Sequence, residues 1–167
     1  KRIICKFKPS PLRASQLREL KKKKGSLIIS DIWPNLKLIS TWTSGNCSTL
    51  LPALQVQLSS KSFIGEVGYM SSEFRGTVNL DIRNEIQVPT LNENFFEFVE
   101  RDEWGSENPD FLMLHEIELG KEYYIFVTTQ NGLYRYFIND IIQVTGKHHN
   151  TPTIKFIQKG DGVISLT

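Results

Sequence analysis

The chain has 167 residues, 40% apolar and 23% charged, which fits one globular domain with a sizeable core. A net charge of +2 is too small to argue for a nucleic-acid partner. No apolar run approaches the ~20 residues that span a bilayer, and no signal-peptide pattern opens the chain. The two cysteines, Cys5 and Cys47, stand without a motif and point to reduced thiols in a cytoplasmic protein. Lys1 stands where a methionine would open a chain, and Ile3 to Phe7 reads as part of an element. Both ends are therefore expected to be cut.

Ser10-Pro11 is a good helix start, because serine can cap free amides and proline suits the first helical position. Ala14, Leu17 and Leu20 follow at helical spacing, and Lys21 to Lys24 before Gly25 read as a solvated helix end. Leu36 to Ser40 reads as a short buried strand, followed by a turn at Thr43-Ser44-Gly45-Asn46. Leu50, Leu54 and Leu58 suggest a second helix whose start Pro52 obscures, and Phe63 to Tyr69 a strand. The α–β–α–β order over 1–76 predicts a layered α/β portion.

From Thr77 the character changes. Thr77 to Ile82, Phe95 to Glu100, Tyr123 to Thr129, Leu133 to Phe137, Ile141 to Val144 and Thr153 to Ile157 are short β-branched and aromatic runs. Asn131-Gly132 between two of them is a strong hairpin signal. Residues 77–158 thus predict an antiparallel, barrel-like β portion, with a polar loop at Asp102 to Asp110 and a hinge over 159–167.

Three stretches could carry chemistry. Gly68 to Glu73 lies where a strand ends, the place where ligands gather in layered α/β proteins. Its ring, hydroxyls and carboxylate suit a nucleotide and its magnesium; a polar turn capped by serine is the plain alternative. Gly132 to Asp140 ends in a carboxylate that could accept bonds from ribose hydroxyls, or in an ordinary turn at Asn139-Asp140. Phe156 to Gly162, with two glycines around Asp161, reads as a flexible joint or a loop. His148 and His149 are adjacent and would face opposite ways on a strand, so they make a poor metal pair.

In order and wording these stretches resemble the auxin-responsive acyl acid–amido synthetase (Gretchen Hagen) family of adenylate-forming enzymes. The resemblance rests on Tyr69-Met70-Ser71-Ser72-Glu73, on Gly132-Leu133-Tyr134-Arg135-Tyr136 through Asp140 with Val144-Thr145-Gly146, and on Thr151-Pro152 with Phe156. Ile32-Trp33-Pro34 adds to it upstream. It implies a fragment of the large N-terminal domain of an ATP- and Mg²⁺-dependent ligase that adenylates a small carboxylic acid and passes the acyl group to an amino acid. Tyr69 would lie against adenine, Ser72 would contact phosphate with Ser71 beside it, and Glu73 would ligate Mg²⁺ as the catalytic carboxylate. Asp140 would hold the ribose, Lys159 would sit near the ribose or the hinge, and Asp161 would begin the rotation of a C-terminal lid.

The chain departs from the family pattern at Asn139, where glycine is usual, and at Phe137, often basic. The phosphate loop and the lid are expected beyond the two ends, so the fragment alone is expected to be inactive. The rival readings are a non-catalytic binding or scaffold module on the same fold and an acyl-CoA ligase with a thiol acceptor.

Overall fold

The computed structural model describes residues 8–160, so the hinge residue Asp161 and Cys5 lie outside the described residues. The chain forms two compact units. Of the described residues, one comprises those up to Ile39 together with Pro52–Phe63; the other comprises Ser40–Leu51 and those from Ile64 to Gly160.

The first unit contains helix α1 (Pro11–Lys24) and the single turn α2 (Ile29–Ile32). Proline opens α1 as expected, but Ser10 makes no side-chain cap. Gly25 closes the helix at φ 80°, its amide donating to the Lys21 carbonyl. Ala14, Leu17 and Leu20 are half-buried, and the lysines line the exposed end. Lys24 pairs with Asp31 across the following turn at 2.5 Å. The strand at Leu36–Ser40 narrows to β1 (Leu38–Ser40), and the leucine helix resolves into a 3-10 turn (Gly45–Leu50) followed by α3 (Leu51–Gln55). β1 ladders with β2 (Phe63–Gly65).

The second unit is built on an antiparallel sheet. A hairpin, β3 (Thr77–Asp81) with β4 (Ile86–Pro89), precedes five strands in the order β6–β5–β7–β8–β9. These are β5 (Asn94–Glu100), β6 (Leu112–Met113), β7 (Glu122–Thr129), β8 (Tyr136–His148) and β9 (Thr151–Lys159). β6 and β9 are edges of the ladder, so the barrel-like expectation is met by an antiparallel sheet rather than a closed ring. Asn131-Gly132 forms the β7–β8 turn, with Gly132 at φ 100° and the Thr129 amide bonded to the Leu133 carbonyl.

β7 is buried on both faces, which explains its unbroken apolar run. Tyr123, Ile125 and Val127 enter the main core with Phe96, Phe98 and Ile154; Tyr124 and Phe126 enter a second cluster with Val99 and Ile141. Phe137 joins that second cluster, 4.5 Å from the Trp104 ring, while its neighbours Tyr136 and Ile138 pack on the first. An apolar residue at 137 is therefore a packing requirement here.

The two runs expected at Leu133–Phe137 and Ile141–Val144 are one strand interrupted by a bulge. Tyr124 faces Ile141 and Phe126 faces Phe137, so residues 138–140 stand opposite Ile125 alone. Asn139 takes φ 60° there, a conformation asparagine tolerates better than most residues.

Candidate functional site

Gly68 and the Thr77 strand set the position of Tyr69. Gly68 has φ 139°, and a Cβ there would lie 2.5 Å from the Thr77 carbonyl oxygen, so only glycine lets the two segments approach. The Tyr69 amide donates to Thr77 Oγ1 at 2.7 Å, and Thr77 Oγ1 donates to Gln87 Oε1 at 3.1 Å. The Tyr69 carbonyl accepts from the Gly76 and Thr77 amides. The backbone around the ring is thus held by buried groups that carry no recognisable motif.

The Tyr69 ring is only 4% exposed. It stacks on Phe156 with centroids 5.6 Å apart and planes at 11°, and meets the edge of Phe74 at 5.6 Å. Its hydroxyl donates to Asp140 Oδ2 at 2.5 Å. Burial, with the Asp140 charge next in weight, pushes the phenol far above its ordinary range, so it stays protonated and remains a donor.

Asp140 is 3% exposed and reaches this position because the Asn139 bulge re-aims the strand. Lys159 is its cross-strand partner on β9, with Nζ 2.5 Å from Oδ1. At that distance the ammonium is a direct charged partner of Oδ1, and it also donates to the Ile138 carbonyl at 3.2 Å. Asp140 is thus a buried carboxylate with a partner on each oxygen, the Tyr69 hydroxyl on Oδ2 and the Lys159 ammonium on Oδ1.

Past Tyr69 the chain turns tightly. Ser71 Oγ accepts from the Glu73 and Phe74 amides at 3.2 and 3.3 Å, and the Ser71 amide donates to the Phe74 carbonyl. Ser71 is therefore committed to the turn, the serine-capped alternative, while Ser72 and Glu73 are exposed on it. The Tyr136 hydroxyl lies 3.4 Å from Glu73 Oε1. Hydrogen bonding from Ser71 is the main cause that holds the Glu73 carboxyl below the usual range, and the Lys159 charge adds to it.

Asp140 is thus held by Tyr69 and Lys159, while Glu73, 67 positions earlier (140 − 73), meets Tyr136 and feels the Lys159 charge. Arg135, inside the same motif, points elsewhere: it bonds Glu97 at 2.9 Å and covers the Phe111 ring at 4.3 Å. The His148 and His149 rings meet edge to face at 4.5 Å, and no group of three or more potential metal ligands occurs among the described residues. Cys47 is a free thiol.

Sequence reasoning missed Glu66, buried at 4% exposure, which accepts from the Thr43 amide and, at 2.8 Å, from Thr43 Oγ1. It ties down the turn at Thr43-Ser44-Gly45. A carboxylate in the Ile64–Val67 run was the available signal.

The sequence matches the GH3 family N-terminal domain over residues 1–62 and the GH3 family central domain over residues 87–159. It is 32% identical over 146 residues to the indole-3-acetic acid-amido synthetase GH3.4 of Arabidopsis thaliana, a match covering 83% of this chain and 24% of that protein. It is 33% identical over 143 residues to the 4-substituted benzoates-glutamate ligase GH3.12 of the same plant, with the same coverages. The fold matches the solved structure of the AtGH3.15 acyl acid amido synthetase in complex with 2,4-DB at a TM-score of 0.78 and 27% identity, over 95% of this chain and 28% of that one. The chain thus spans about a quarter of the length of the curated relatives it matches. No described helix is long and apolar enough to cross a membrane.

Proposed function

The chain belongs to the GH3 family, and from that premise we propose that it supplies part of the nucleotide-handling face of an ATP-dependent ligase joining a small carboxylic acid to an amino acid. The observation that carries this reading is the buried Tyr69–Asp140–Lys159 set with Glu73 beside it. Asp140, a carboxylate beside the Lys159 cation, is the residue that would meet the ribose hydroxyls. A single exposed carboxylate, kept anionic by Ser71 and Lys159, suits Mg²⁺, which takes one or two carboxylates and completes its shell with phosphate oxygens and water.

ATP and its metal would supply activation of the acid's carboxyl group. The work left to the chain is placement and charge. Asp140 and Lys159 grip the sugar, Glu73 fixes the metal side, and Ser72 presents a hydroxyl at the same turn. No side chain has to act as a covalent nucleophile.

The test is Glu73→Ala in the complete gene product, read by acid-dependent exchange of pyrophosphate into ATP. Because Glu73 is exposed, the fold survives, with stability within about 0.5 kcal/mol of wild type. Exchange falls by on the order of a hundredfold or more, the scale of a lost charge-stabilising group. Unchanged exchange removes Glu73 from the reaction, and a wild-type protein without any exchange removes the ligase reading. Amino acids, rather than coenzyme A, release the product.

A further inference from the structure

The β3–β4 hairpin is polar on its buried face and apolar on its exposed one. Thr77 and Gln87 are each 1% exposed, whereas Val78 and Leu80 stand in solvent. Asn79 and Gln87 are cross-strand partners, so their side chains leave the ladder on one face. Each amide is oriented by a bond of its own. Thr77 Oγ1 accepts from the Tyr69 amide and has a single proton to give, which goes to Gln87 Oε1 at 3.1 Å. Asn79 Nδ2 donates to the Glu66 carbonyl at 2.7 Å. These bonds leave Gln87 Nε2 as a buried donor and Asn79 Oδ1 as a buried acceptor, both without a hydrogen-bond partner in the chain. Turning Asn79 over would set Oδ1 against the Glu66 carbonyl, and turning Gln87 over would take the acceptor from the Thr77 hydroxyl.

We propose that the Asn79–Gln87 pair is a binding site for one internal water molecule, which accepts from Gln87 Nε2 and donates to Asn79 Oδ1. The two atoms have the opposite polarity that such a bridge needs, and they belong to one pair on one face. Room for it comes from the ladder. The register breaks directly after this pair, because Asp81 is the next residue to face Ile86 and Leu80 is passed over. A bulge of this kind bends its strand and disrupts the pairing beside it. Polar walls hold a water where an apolar cavity of the same size stays dry. Without the bridge both groups would carry their full cost of desolvation, a situation folded proteins rarely leave standing. The water also joins two hydrogen-bonded runs. One goes from the Tyr69 amide through Thr77 to Gln87; the other goes from Asn79 to Glu66, whose carboxylate holds Thr43. It therefore ties the segment from Glu66 to Tyr69 to both strands of the hairpin, whatever that segment binds.

The experiment is a crystal structure of the complete gene product, joined to hydrogen exchange of three variants of it. The density is expected to show an ordered water within about 3.2 Å of both Gln87 Nε2 and Asn79 Oδ1. A direct Asn79–Gln87 bond, a dry gap, or a water that reaches only one of the two side chains overturns the proposal. Asn79→Leu and Gln87→Met keep the size of each side chain and remove one polar end of the bridge. Each speeds amide exchange across residues 66–80 by about tenfold, the value of a lost hydrogen bond whose other end stays buried and unpaired. The double variant leaves neither end unpaired, so its acceleration falls short of the product of the two single effects by about tenfold. The separate bonds to Glu66 and Thr77 cancel in that comparison. A double variant equal to the product means that the two side chains act independently, which overturns the bridge. Should a variant not fold, the wild-type density decides.

Discussion

Gly160 closes the bulge that carries Asn139: its amide donates to the Asn139 carbonyl at 2.8 Å, and a Cβ at 160 would stand 2.2 Å from Asn139 Oδ1 and 2.4 Å from Tyr124 Cε1. Neither neighbour gives way freely. Asn139 is held at φ 60°, and Tyr124 is buried between Trp104 and Phe137. Gly160→Ala therefore forces the end of β9 away from the bulge. The expected cost is about 1–3 kcal/mol, the range for an overpacked site, read as a lower urea midpoint with an unchanged slope. Because Asp140 follows Asn139, nucleotide KM rises together with the loss of stability. A midpoint equal to wild type would mean that β9 ends with more freedom than this packing allows.

Tyr69 gives the molecule an alkaline limit. Its phenol is held far above the ordinary range by burial and by the Asp140 charge, so the folded state keeps a proton that the unfolded chain releases above about pH 10. The sign follows from linkage. The folded state binds more protons in that window, so stability is complete below about pH 10 and declines as pH rises, by about 1.4 kcal/mol per pH unit for one such proton. Tyr69→Phe removes this contribution and flattens the alkaline limb of the stability curve. Lys121, whose pKa is raised chiefly by Glu100, titrates alike in both proteins and cancels in the comparison. Denaturant titrations between pH 8 and about pH 11 measure the difference, and parallel curves would place the phenol in contact with water.

Strands β5, β7, β8 and β9 were legible because their β-branched and aromatic runs are long and their turn residues are specific, whereas the two-residue β6 was not; Asn131-Gly132 alone fixed one hairpin. Ile86–Pro89 was not legible, since four residues ending in proline carry little strand signal until β3 pairs with them. Asp140 was legible as a residue type at a strand end, and its partner Lys159 was placed near the ribose or the hinge. That Tyr69 would bond Asp140 across 71 positions was not legible, because it depends on a three-against-one bulge and on Gly68 and Gly76 letting backbones close up. The loop at Asp102–Asp110 was read as polar, yet Trp104 within it folds back on the sheet, a choice of tertiary packing over local composition.

Trp104 is the test of that last point. It follows a 3-10 turn (Arg101–Glu103), and its ring meets Tyr124, Phe126 and Phe137 at 4.5–5.5 Å, roofing the second cluster on the face of the sheet opposite Tyr69. Its removal exposes Phe126 and Phe137 and leaves Arg101, paired with Glu122 at 2.6 Å, as the main tether of the loop. Surface ion pairs contribute about 0–1 kcal/mol, too little to compensate. Trp104→Ala should cost about 3 kcal/mol, the lower end for an aromatic truncation, because the ring is only half-buried. Fluorescence gives an independent reading. Trp33 and Trp42 are 59% and 62% exposed, so the short-wavelength part of native tryptophan emission belongs to Trp104 and disappears in the variant. A loss under about 1 kcal/mol with an unshifted emission maximum would show the loop lifted off the sheet in solution.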